Sequence, residues 1–185
     1  CYGINLQAVA EVPERVAETE AFLRKNDFNK TRVFSVEGNH PQSLDAVVER
    51  LGITATIIST PPEAHKPYAL WALDRRLHIL IDKPITMRKN ASTDVLQASG
   101  LLDDFEDLAA AYRLALEKRP DLVFSVSVQR RYDQAFEFMR YRIEKVFEQT
   151  GQPVSSMNLI KSDGQWRLPQ ELLDVEYHGY SHGYG

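Results

Sequence analysis

The chain of 185 residues has a single cysteine, Cys1, which excludes an internal disulfide framework and fits a reducing compartment. It has no apolar run of the length a bilayer demands and no secretory leader pattern at its start, so the cytoplasm is the expected location. It also lacks a basic excess. With 22 basic and 26 acidic residues the formal charge is −4, which argues against a nucleic-acid footprint or a polybasic membrane patch and points to small molecules and other protein chains as partners. A glycine-rich phosphate loop is missing too. The nine glycines contain no Gly-x-Gly-x-x-Gly set, and Gly183-x-Gly185 has no helix after it. The remaining composition, 43% apolar and 26% charged, carries no disorder signature and is enough for one good core or two small ones.

The most informative stretch runs from Thr54 to Pro84. Thr54 to Ser59 is apolar on both faces, as a strand covered by helices on both sides must be, and Pro61 and Pro62 end its ladder. Glu63 onward reads as a helix with Ala64, Tyr68, Trp71 and Ala72 on one stripe, and Leu77 to Ile81 as a second buried strand closed by Asp82-Lys83-Pro84. Parallel strands joined by a helical crossover put both following loops on one edge of the sheet, where open α/β sheets bind ligands. Thr60 to His65 and Asp82 to Pro84 are therefore expected to face one site.

These residues resemble a known family. Thr60-Pro61-Pro62-Glu63-Ala64-His65, followed one βαβ unit later by Asp82-Lys83-Pro84, is similar to the Gfo/Idh/MocA oxidoreductases, whose pattern is Thr-Pro or Asn-Pro with a histidine at the next helix start, then Glu-Lys-Pro. Asp82 stands where the family has Glu, keeping the charge and shortening the reach. The resemblance implies an α/β fold, a Rossmann-like parallel sheet lacking its first strand and followed by the start of a second α/β domain. It implies a partial dinucleotide-binding domain over residues 1–129, then over 130–185 a linker helix and the beginning of a substrate and oligomerisation domain.

Along the chain, Ile4 to Ala10 alternates and Glu11 closes the run ahead of Pro13. The resemblance assigns Glu11 to the acid that ends the second strand and accepts hydrogen bonds from the adenosine ribose; the other reading is a helix-start acid complementing the dipole. On the first reading, the first strand and glycine-rich turn lie before Cys1, and these residues alone bind cofactor poorly. Pro13 to Lys25 reads as a helix, Val33 to Val36 as a strand, and Gly38 to Pro41 as a turn in which His40 carries no chemistry. Leu44, Val47, Val48 and Leu51 give a helix capped by Gly52. Thr86 to Gly100 reads as a long polar connection, and Leu101, Phe105, Leu108, Tyr112 and Ala115 as a helix stopped by Pro120. A strand over Val123 to Val128, a helix through Phe136, Met139, Ile143 and Val146, and a strand over Val154 to Ile160 follow.

The resemblance implies an oxidoreductase that moves a hydride between nicotinamide and a secondary alcohol or carbonyl of a sugar, inositol or related polyol. The alternative is a non-catalytic nucleotide-binding regulator or scaffold of the same fold. Lys83 is the expected catalytic group, assisting proton transfer at the reacting oxygen; as an alternative it is a surface lysine paired with Asp82. Cofactor contacts are expected from Glu11, Thr60, Pro61, Pro62, His65, Asp82, Lys83 and Pro84, with His65 reaching the cofactor edge or, equally, solvated in a first helical turn. Arg130 and Arg131 follow a strand on the same edge, where a guanidinium would hold substrate oxygens, unless they form a solvated pair at a domain junction. Glu11 favours NAD, with NADP the second option. His178 and His182 beside Glu176 are spaced like metal ligands, but the glycines around them break the helix that gives the spacing meaning, so no metal is expected. The family's catalytic histidine is expected beyond Gly185, and the full-length protein is expected to be a homo-oligomer.

Overall fold

A computed structural model describes residues 3–38, 40–128 and 134–156. The chain divides into two units, Cys1–Val126 and Ser127–Gly185.

In the first unit strands and helices alternate: β1 (Ala8–Glu11), α1 (Val16–Lys25), β2 (Arg32–Ser35), α2 (Asp45–Leu51), β3 (Ala55–Ile58), α3 (His65–Asp74), β4 (His78–Asp82), α4 (Val95–Lys118) and β5 (Phe124–Ser127). Prolines set the helix entries. Pro13, Pro41 and Pro62 each open a short 3₁₀ turn leading into α1, α2 and α3, because their fixed φ suits a first helical position that needs no donor. Gly52 ends α2 with φ 61°, the left-handed conformation that glycine adopts without a Cβ penalty.

The strands form two separate ladders, β1–β2 and β3–β4–β5. β1 and β2 run parallel with Glu11 opposite Ser35, and β3 and β4 run parallel with Ile58 opposite Ile81. Each strand expected in the first unit is present, shifted by one to a few residues: the first begins at Ala8 rather than Ile4, and β4 extends to Asp82.

The core lies on one face of β3 and β4. Ile58, Ile79 and Ile81 pack against Ala69, Ala72 and Leu73 of α3 and Leu108 and Ala115 of α4. The expectation that β3 is covered on both faces is corrected here. Ile57 is 67% exposed and its ladder partner Leu80 is 41% exposed, because α3 and α4 pack with the opposite set of alternating side chains.

Two more expectations change. The connection after Pro84 is shorter than the polar composition implies, since α4 begins at Val95, where the Asp94 carboxylate caps the helix by accepting from the amides of Leu96 and Gln97. On α4 the buried positions are Gly100, Asp104, Leu108 and Ala115, whereas Phe105 is exposed.

In the second unit α5 spans Gln134–Thr150 and ends at Gly151, φ 67°. Val154 to Ser156 is irregular rather than strand, and the rest of that expected strand lies outside the described residues.

Candidate active site

Parallel pairing places the carboxyl ends of β3 and β4 side by side. One step past the Ile58–Ile81 pair, the Ser59 hydroxyl donates to Asp82 Oδ2 at 2.7 Å, so the strand-ending carboxylate is anchored across the ladder. Asp82 is exposed beside partly buried Lys83, and the Lys83-Pro84 peptide bond is cis.

His65 sits at the first position of α3 and is 0% exposed. Its Nδ1 lies 2.7 Å from the Pro84 carbonyl oxygen and its Nε2 2.9 Å from that of Thr60. The imidazole thus spans the two strand-end loops. A neutral ring donates from one nitrogen only, so both contacts are hydrogen bonds together only when the ring carries two protons. The reading of His65 as a solvated first-turn residue is corrected: its ring is enclosed between two carbonyls that the fold brings from loops 5 and 19 residues away. In the same loop Pro62 is buried and Pro61 exposed, and Thr60 Oγ1 is buried with no hydrogen-bond partner.

Glu11 is the last residue of β1. Its carboxylate accepts from the Val12 amide at 3.0 Å and from the Thr19 hydroxyl of α1 at 3.1 Å, which fixes its direction and leaves lone pairs available. Those contacts lie within the β1–α1 unit, apart from the Thr60–His65–Pro84 cluster. Arg130 and Arg131, like Glu176, His178 and His182, lie outside the described residues. His40 is exposed ahead of the turn at Pro41.

A group that the pattern of motifs did not single out lies behind the loops. Asp104 of α4, 5% exposed, accepts from Arg88 Nε at 2.7 Å, Arg88 Nη2 at 2.8 Å and Lys66 Nζ at 2.6 Å. Arg88 holds the carboxyl at about 2, overcoming the upward push of burial, and Lys66 adds to the effect. Lys66 also donates to Asp107 at 2.6 Å. Burial opposes its charge, yet the two carboxylates leave its pKa raised. One signal was present in sequence: Asp104 falls between Leu101 and Leu108 at helical spacing, on the stripe that becomes buried.

A strand-helix-strand fold with parallel ladders and polar groups gathered at strand carboxyl ends defines a Rossmann-like nucleotide-binding α/β protein. The family model described as "Oxidoreductase family, NAD-binding Rossmann fold" (Gfo/Idh/MocA) matches residues 5–100, just over half of the chain. The chain belongs to the Gfo/Idh/MocA oxidoreductase family, and NAD is the cofactor of the domain that the match covers. No curated protein matches significantly. Among solved structures, the chain is similar to the WlbA dehydrogenase from Bordetella pertussis in complex with NADH and UDP-GlcNAcA, at 18% identity and TM-score 0.52, over 75% of this chain and 31% of that one. The WlbA dehydrogenase from Chromobacterium violaceum, also with NADH and UDP-GlcNAcA, matches at 17% identity and TM-score 0.38, over 75% of this chain and 39% of that one. The chain thus spans about a third of the length of the first dehydrogenase, and the likeness at that identity is one of fold. Among the described residues no helix is long and apolar enough to cross a membrane.

Proposed function

We propose that these residues belong to an NAD-dependent oxidoreductase acting on a secondary alcohol or carbonyl of a sugar or polyol. The observation that carries this reading is the strand order. Dinucleotide-binding sheets run 3-2-1-4-5-6. If Glu11 ends the second strand, then β2 is the third and β3, β4 and β5 are the fourth to sixth. The ladders β2–β1 and β3–β4–β5 are then the two flanks of that order, 3-2 and 4-5-6. On this reading residues 1–129 are part of the nucleotide-binding domain, and 130–185 open the substrate and oligomerisation domain.

The residues present fit the cofactor. Glu11 offers an oriented carboxylate to ribose hydroxyls and repels a 2′-phosphate, favouring NAD over NADP. Thr60 Oγ1, buried and unsatisfied, offers a hydroxyl at the loop that would meet the nicotinamide half, together with Pro61, Pro62, His65, Asp82 and Pro84 around it. When bound, the nicotinamide supplies or accepts the hydride. Lys83 then holds the substrate oxygen and moves its proton, and Arg130 or Arg131 binds the remaining substrate oxygens. The sugar nucleotide bound by the Bordetella pertussis WlbA dehydrogenase agrees with a carbohydrate-type substrate and leaves its identity to experiment.

The test is hydride exchange between labelled NADH and a panel of sugars, sugar nucleotides and polyols, using the intact protein that carries these residues. A substrate should emerge, and Lys83→Met should lower its turnover by roughly 10²- to 10⁴-fold with NADH binding retained. NADH binding without exchange on any panel member would favour the regulator or scaffold reading.

A further inference from the structure

The two loops of the candidate site share a second connection. Lys66 directly follows His65 at the start of α3, and Arg88 lies four residues beyond Pro84; both end on the one buried carboxylate of Asp104. Arg88 reaches it by crossing Gly100. A Cβ on Gly100 would overlap the Arg88 guanidinium, so the side chain takes this path over the bare backbone of α4. The Thr60–His65 loop and the Asp82–Pro84 loop are therefore joined twice, directly through the His65 ring and indirectly through Asp104.

We propose that Asp104 is a positioning residue of the nicotinamide site: by holding Lys66 and Arg88 at once it sets the spacing between the Thr60 and Lys83 loops that the His65 ring bridges. The proposal rests on the NAD reading for its purpose, though not for its geometry. Packing of α3 on α4 alone would be served by an apolar residue at 104, as at Leu108 and Ala115, and buried ion pairs add little over apolar packing. Two cations recruited from the two loops point instead to a fixed geometry.

The experiment reads the His65 ring nitrogens by long-range ¹⁵N–¹H NMR, which separates protonated from bare nitrogens. His65→Gln assigns the signals, and exposed His40 serves as the solvent reference. Gly100→Ala is the decisive variant, because it leaves every charge in place and its Cβ meets the Arg88 guanidinium first; Asp104→Asn is its partner. Both should move the His65 signals toward those of His40, whereas Leu108→Ala, which weakens the core without touching Asp104, should leave them in place. NADH affinity should fall roughly tenfold in the first two variants, as expected of a displaced site loop. Unmoved His65 signals in folded Gly100→Ala and Asp104→Asn, or an equal movement in Leu108→Ala, would overturn the proposal. If the signals respond as expected and even the wild type binds no NADH, the cofactor reading fails and the brace stands.

Discussion

Replacing Asp104 by Asn gives the sharpest test of the energetics, because the carboxyl is buried and its two cationic partners are known. The pKa falls from an ordinary 3.8 to about 2, chiefly through the Arg88 bonds. That difference corresponds to about 2 kcal/mol of folding stability. Solvent around Lys66 and Arg88, whose side chains are 24% and 33% exposed, makes this an upper figure. A carboxyl with a lowered folded-state pKa stabilises fully above its unfolded value and loses that contribution as pH falls through the folded value. The wild type should therefore lose about 1 kcal/mol from this group by pH 3 and about 2 by pH 2. Asp104→Asn has no such proton to bind. Urea unfolding followed by helical circular dichroism at pH 7, 5, 4 and 3 should show a wild-type advantage that is flat above pH 5 and shrinks by about half at pH 3. An advantage unchanged from pH 7 to 3 would refute the assignment of this carboxylate as the buried anion of the cluster.

Three further outcomes are expected from the same unfolding assay at pH 7. Leu108→Ala, at a site 1% exposed in the core, should cost about 2 to 5 kcal/mol; a loss under 1 would mean that α4 is not packed on β3 and β4 as described. Asp94→Ala removes the cap of α4 and should cost about 1 kcal/mol, while Asp94→Ser should recover most of it. Gly52→Ala should cost about 1 kcal/mol through its positive φ alone, since nothing lies within 4 Å of the added carbon.

Much of the fold was legible because its signals are local. Apolar runs closed by Pro61-Pro62 and by Asp82-Lys83-Pro84 locate β3, α3 and β4, since proline ends a ladder wherever it stands. Gly52 likewise marks the end of α2. What escaped depends on distant residues. Whether Ile57 is covered is decided by which side of the sheet the helices occupy, and a continuous apolar run does not encode that choice. The early start of α4 hid in a polar stretch whose signal was the single carboxylate of Asp94. In the site, Glu11, Thr60, His65, Asp82 and Lys83 were picked out as motif positions. The burial of His65 was not foreseeable, because its partners are backbone carbonyls, which no side-chain pattern records. Asp104 is not marked by any motif, because an acid at one position of an otherwise apolar stripe has its meaning set by Lys66 and Arg88, which come from distant loops.

The most direct test of the central claim is a titration of the intact protein with NADH and with NADPH, following nicotinamide fluorescence, in the wild type and in Glu11→Ala. The account predicts that NADH binds more tightly than NADPH. It also predicts that Glu11→Ala weakens NADH by roughly tenfold or more, through loss of hydrogen bonds to a charged acceptor, and narrows the gap between the two nucleotides. Equal affinity for both nucleotides in the wild type, or no binding of either, would contradict it.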